Sequence, residues 1–412
     1  MTGLVHAPAG TLRGGSTGAV TAFLGIPYGC AERFAAPRPA PAWPGVRDAG
    51  RPGPACPQPP SRLERVMGPG SDLDQDEDCL SLNVWTPGGT GLPVLVWLHG
   101  GGFTSGSGAE AWYDGALLAE RGRMVVVTVN HRLGALGYLY LSPGFGPANV
   151  GLLDQIAALG WVRENIAAFG GDPGRVTLAG QSAGALSALA MLGHPAGSGL
   201  FQQVVLQSTP TGVPPYGPRD AALIGRRLLD VLGLRPGEAD RLRTVPVPRL
   251  LAAQGLVARR TAAPFKVTPP FQLVADGGVP ADLLTGVPDG MPALIGTTRD
   301  EARAFFPGAP AEATARLFGA GALLQAGRSF AFRFDWSPPG SPFGACHCVE
   351  LPFVFGGPDA WRAAPMLAGA DPADLRRLTD EVQNAWIGFV HTGSPGWPPF
   401  PHVRHFARAP LP

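Results

Sequence analysis

A serine becomes a strong nucleophile where the backbone pushes it out of a turn and leaves space around it, and residues 176–184 have the composition for that. They read Val-Thr-Leu-Ala-Gly-Gln-Ser-Ala-Gly, an apolar strand that breaks at Gly180-Gln181-Ser182-Ala183-Gly184 into a helix-prone run. This is the G-x-S-x-G pattern of a strand-to-helix elbow. The sharp turn strains the serine backbone and brings strand and helix together, so small residues two before and two after it relieve the crowding. Ser182 is the candidate nucleophile. A chain with 59 glycines also produces the pattern by chance, so its neighbours have to carry the assignment.

Acyl transfer builds negative charge on a carbonyl oxygen, and preorganised backbone N–H groups are the usual stabiliser. His99-Gly100-Gly101-Gly102-Phe103 follows an apolar strand at 93–98. Gly101 and Gly102 would let the main chain approach that oxygen, and the N–H of Ala183 would complete a three-donor oxyanion hole. The run lacks the Lys-Ser/Thr ending of a phosphate-binding loop.

Where an elbow serine is paired with an acid and a histidine on a sheet of this kind, the three follow in that order, on loops after core strands. Asp300 and Glu301 both follow the apolar strand at 293–296, and the residue types alone leave the choice between them open. Of the eight histidines, His347, His391, His402 and His405 come later. His391 ends a helical pattern and the last two lie in a Pro-rich tail. His347 sits in a Gly-Ala-Cys-His loop beyond a strand at 330–334, and is the candidate base. His99 and His131 read as structural.

These groups need rigid elements beneath them. Apolar runs at 93–98 and 124–129 suit strands buried on both faces. Apolar positions spaced by three or four residues over 149–168 mark an amphipathic helix, with further helices expected at 221–232 and 375–390. The first sixty residues alternate short β-rich pieces with Pro-rich loops, as an antiparallel edge would. Strand, loop and helix in alternation indicate a mostly parallel sheet covered by helices.

Composition narrows the rest. The 412 residues are 45% hydrophobic with a net charge of +1, and no Lys/Arg block is present, which argues against nucleic acid or an anionic membrane surface as partner. No basic start with an apolar run opens the chain and no apolar stretch reaches membrane-spanning length, so a cytoplasmic location is expected. The five cysteines, Cys30, Cys56, Cys79, Cys346 and Cys348, do not form paired metal knuckles, and neither a metal nor an organic cofactor is expected.

Taken together, the motifs resemble the type B carboxylesterases of the α/β-hydrolase fold, which include bacterial p-nitrobenzyl esterase-like enzymes and the cholinesterases. The resemblance rests on Gly25-Ile26-Pro27-Tyr28, Glu77-Asp78-Cys79-Leu80-Ser81-Leu82-Asn83-Val84-Trp85, the glycine run, Asn130-His131-Arg132-Leu133-Gly134, and Asn149-Val150-Gly151-Leu152-Leu153-Asp154-Gln155. The elbow, Gly296-Thr297-Thr298-Arg299-Asp300-Glu301 and the segment Gly344 to Phe353 around His347 continue it in the same order. It implies Glu301 as the acid, and a Ser182–His347–Glu301 triad hydrolysing a small-molecule ester through an acyl-enzyme. It also implies that Cys56 and Cys79 could close a disulfide loop, against which a reducing compartment would leave two thiols.

Two departures shape the expected substrate. Gln181 stands where the family commonly has glutamate, and the 56–79 loop contains no Trp, Tyr or Phe. Cations would therefore be drawn weakly, so uncharged short- to medium-chain esters are expected. The segments 210–270 and 302–329 are short for a family cap, which predicts one α/β-hydrolase domain over 1–412 with a reduced helical cap, a more exposed active-site gorge, and a monomer or weak homo-oligomer. The alternatives are a detoxifying hydrolase of carbamate, lactone or mycotoxin esters, and a non-catalytic neuroligin-like binding protein, which the intact Ser182, Glu301 and His347 oppose.

Overall fold

The two continuous apolar runs become neighbouring strands at the centre of the sheet in a computed structural model that describes residues 3–284, 287–324 and 329–407. In chain order the strands of this ten-stranded sheet are β1 (Gly15–Thr17), β2 (Val20–Pro27), β3 (Ser81–Thr86), β4 (Leu92–Leu98), β5 (Val125–Val129), β6 (Gly171–Gln181), β7 (Gln203–Gln207), β8 (Ala293–Thr298), β9 (Ser329–Phe334) and β10 (Val403–Phe406). Across the sheet the order is β10-β9-β8-β7-β6-β4-β5-β3-β2-β1. Neighbours from β5 through β10 run parallel, and β3, β2 and β1 add an antiparallel edge.

Side chains along β4 alternate between two cores, as the two-residue period of a strand requires. Val94, Val96 and Leu98 pack with Leu152, Leu159 and Leu186, whereas Leu95 and Trp97 pack with Phe332, Trp386 and Phe389. Burial on both faces is why the strand is apolar at every position. Helices Val150–Asn165 and Ala183–Gly193 supply the first core, and Pro372–Thr392 the second.

Pro218–Leu232 and Pro372–Thr392 begin three residues before their apolar patterns, because proline is tolerated in a first helical turn that needs no N–H. Segment 210–270 also contains a helix that its prolines disguise, Val247–Thr261, and segment 302–329 contains Ala311–Phe318, with 325–328 outside the described residues. The Pro-rich tail holds β10, which extends the sheet beyond β9. Among the described residues no helix is long and apolar enough to cross a membrane.

Candidate active site

All the candidate groups lie beyond the carboxyl ends of β4, β6, β8 and β9, the edge at which parallel α/β sheets place their ligands. Ser182 joins β6 to helix Ala183–Gly193 with φ 55° and ψ −121°, a backbone conformation that L residues hold only under constraint. The constraint is visible. Ser182 N–H donates to Gln207 O on β7 at 2.9 Å, and Ser182 O accepts from Leu186 N at 3.0 Å. A Cβ on Gly184 would lie 2.1 Å from Leu98 O, and one on Gly180 would lie 2.5 Å from the Gly184 carbonyl carbon, so both glycines of the pattern are sterically required.

The glycine run leaves β4 beside the elbow. Gly101 (φ 114°) and Gly102 (φ 62°) take left-handed backbone, and a Cβ on Gly101 would lie 1.9 Å from Ser105 O. The Gly101 carbonyl is tied down by Thr104 N–H at 3.1 Å and Ser105 N–H at 3.2 Å. The N–H groups of Gly101, Gly102 and Ala183 donate to no protein acceptor among the described residues.

Glu301 and His347 meet in the interior, both 0% exposed. His347 Nδ1 lies 2.5 Å from Glu301 Oε2, and Glu301 Oε1 accepts from Thr298 N–H at 2.7 Å. A carboxylate accepts, so Nδ1 carries the proton and Nε2 offers its lone pair. Of the two acids, Glu301 is the one that meets His347, whereas Asp300 accepts from Ala345 N–H at 2.9 Å and fixes the His347 loop. The later histidines stand apart, His391 on Gly122 O at 2.7 Å and His405 on Asp335 at 2.6 Å.

Nε2 of His347 faces the elbow, where the Gln181 carboxamide nitrogen lies 3.3 Å from it and also 3.4 Å from Cys348 Sγ. Ser182 Oγ makes no hydrogen bond among the described residues, and hydrogen bonds of this kind commonly tighten only with substrate present. The expected exposure of the site is not found at Ser182 or His347. Ser182 is 8% exposed, and Phe318 and Phe305 cover the His347 ring at 4.8 and 5.3 Å between centroids, because helix Ala311–Phe318 and the turn after Glu301 fold over it.

Two adjoining hollows open here. One of about 20 Å³ is bounded by Ser182, Gly101, Gly102, Ser105, Arg62 and Phe305. The other, about 350 Å³, is reached past Gly100, Gly101, Gln181 and Cys348 and includes Trp112 and Tyr113, aromatic faces supplied from outside the 56–79 loop. Cys56 and Cys79 are buried free thiols; Cys56 Sγ accepts from Leu133 N–H at 3.2 Å, and its hydrogen bond with Cys79 raises the Cys79 thiol well above its ordinary range. Sequence reasoning missed Arg62, Phe305, Phe318 and the buried Glu350, whose carboxyl is pushed up to about 8 by burial and then by Glu301. Only Glu350, inside a quoted motif, had a signal that could have revealed it.

Residues 2–316 match the model of the Carboxylesterase family. The chain is 42% identical to the "Probable N-octanoylanthranilate hydrolase" of Rhodococcus erythropolis, over 96% of this chain and 94% of that protein. It is 38% identical to the para-nitrobenzyl esterase of Bacillus subtilis, over 96% and 92%. A thermophilic PNB esterase of known structure superposes with a TM-score of 0.86 at 34% identity, covering 96% of this chain and 92% of that one.

Proposed function

The chain belongs to the carboxylesterase family and is a carboxylic ester hydrolase of the α/β-hydrolase fold, and from that premise we propose that Ser182, His347 and Glu301 are its catalytic triad, acting on uncharged short- to medium-chain esters. His347 Nε2 takes the Ser182 hydroxyl proton as Oγ attacks the ester carbonyl. Glu301 holds the imidazole tautomer and stabilises the imidazolium, while the N–H groups of Gly101, Gly102 and Ala183 receive the oxyanion. His347 returns the proton to the leaving alcohol, and water cleaves the acyl-enzyme by the same route. Release of Nε2 from the Gln181 carboxamide to Ser182 Oγ completes the proton path.

The observation that carries this reading is the buried 2.5 Å contact of His347 Nδ1 with Glu301, with Nε2 3.3 Å from Gln181, the residue before a serine on strained backbone. The small hollow at Ser182 favours a compact acyl group. Segments 210–270 and 302–329 are read as a reduced cap on one catalytic domain. Hydrolysis of p-nitrophenyl acetate, butyrate, octanoate and palmitate tests the assignment: turnover should peak at a short chain, and Ser182→Ala should lower kcat/KM by at least about 10⁴-fold. Equal activity of wild type and Ser182→Ala would overturn it.

A further inference from the structure

Arg62 is the one cation among the described residues bordering the hollow that contains Ser182, and its own chemistry is largely unused. Its Nη1 donates to Val267 O at 3.1 Å, and its guanidinium carbon lies 5.7 Å from the centre of the Phe305 ring. No carboxylate lies within salt-bridge distance of it among the described residues, and its remaining N–H groups have no protein acceptor there. Arg62 is an exposed residue, and the protein packed around its guanidinium lowers its pKa through desolvation. Its place on the edge of the Ser182 hollow leaves that open surface facing the site.

Its approach to the glycine run is close. A Cβ at Gly102 would fall 2.7 Å from Arg62 Nη2, so the absent side chain at 102 also gives the guanidinium its position. A planar fork of N–H donors beside a nucleophile matches a carboxylate in both charge and shape. Ion pairs occupy many other arginines, such as Arg33 with Glu77 and Arg132 with Asp154. Arg62 has no such partner among the described residues.

We propose that Arg62 is a specificity-determining residue that binds a free carboxylate on the substrate, so that the enzyme also accepts esters bearing an anionic group a few bonds from the scissile carbonyl. This rests on the Ser182 reading and extends its substrate range from neutral to anionic esters. The carboxylate sits on the guanidinium in place of water while the ester carbonyl reaches Ser182 and the N–H groups of the glycine run. The bond changes are those of ordinary ester hydrolysis.

Matched pairs test it: monomethyl glutarate against methyl valerate for a carboxylate on the acyl side, and 3-acetoxybenzoate against phenyl acetate for one on the leaving group. The ratio of kcat/KM, anionic over neutral, is compared for wild type, Arg62→Gln and Arg62→Lys. In at least one pair Arg62→Gln should lower that ratio by about 10- to 100-fold, with the neutral ester within about threefold of wild type and Arg62→Lys between the two. An unchanged ratio in both pairs overturns the proposal, as does a parallel loss on neutral and anionic esters, which would make Arg62 a structural brace. If wild type hydrolysed none of the four esters, the Ser182 reading itself would fail; turnover of the neutral esters with an anionic-to-neutral ratio that does not depend on Arg62 sinks this inference alone.

Discussion

Glu350 shows how one buried side chain can set a pH limit. It is 1% exposed, its Oε1 accepts from Gln207 Nε2 at 3.3 Å, and Gln207 Oε1 in turn accepts from Trp386 Nε1 at 2.9 Å. With its pKa pushed up to about 8, the folded protein keeps this proton while an unfolded chain loses it near 4.5. Stability from this group is therefore full below about pH 4.5 and is lost as pH rises through about 8, a loss of order 4 kcal/mol. Glu350→Gln mimics the protonated acid and cannot ionise. Its Tm should gain on wild type steadily between pH 5 and 8, whereas parallel Tm curves would refute the buried, protonated state. Residues of this kind were legible to different degrees. His347 could be picked out as the candidate base from its loop and its place after a strand, but a lone Arg62 in a Pro-Pro-Ser-Arg loop has no periodicity or partner in sequence, and only the fold carries it to the glycine run.

At the scale of elements, the elbow is a steric device whose tolerance is measured in tenths of an ångström. Gly184→Ala drives a methyl group into Leu98 O, 2.1 Å from the ideal Cβ position, and should cost about 3 kcal/mol, read as a lower denaturant midpoint together with loss of esterase activity. A substitution at Gly237, where a Cβ meets nothing within 4 Å, should leave both unchanged and serves as the control. The same local sterics made the elbow readable from sequence, since the requirement for small residues is written within five positions. Strands β4 and β5 were readable because burial on both faces leaves an unbroken apolar run. Helix Val247–Thr261 was not, because Pro246, Pro248 and Gly255 resemble loop punctuation until the first proline is seen to cap the helix and the second to occupy its first turn. Strand β10 was hidden for another reason: it has only four residues, and Arg404 and His405 at its middle are exposed.

The whole molecule should be acid-sensitive well above the range of ordinary carboxylates. His99 and His131 stack at 4.6 Å between ring centroids behind the glycine run, His99 Nδ1 donating to Gly100 O at 2.7 Å. Burial lowers His99 to about 4 and His131 well below its ordinary range, the latter also through His99. The folded protein thus stays neutral at both sites while an unfolded chain takes up protons below about pH 6.5. Stability is present above that pH and declines as it falls, by about 2 kcal/mol for His99 alone at pH 5. His131→Phe should remove roughly half of the pair's pH dependence, measured as urea midpoints at pH 7.5 and pH 5; an unaltered dependence would assign the acid sensitivity to other groups. Sequence suggested that both histidines were structural, but their pairing depends on β4 and β5 lying side by side.

The outermost strand carries a consequence for how the protein would fail. Asp335 N–H and Trp336 N–H, at the start of the segment leading to His347, both donate to Phe406 O, and Phe406 packs against Phe332, Phe334 and Trp386. Ser182, the proposed nucleophile, instead rests at the end of β6, deep inside the sheet and four strands away from that edge. A protease clipping the tail would unfasten the histidine's support and leave the serine's scaffold standing. With Ser182 and His347 in the roles proposed for them, such clipped molecules would persist as folded proteins with an intact Ser182 hydroxyl and a displaced His347, silent in turnover while still abundant on a gel.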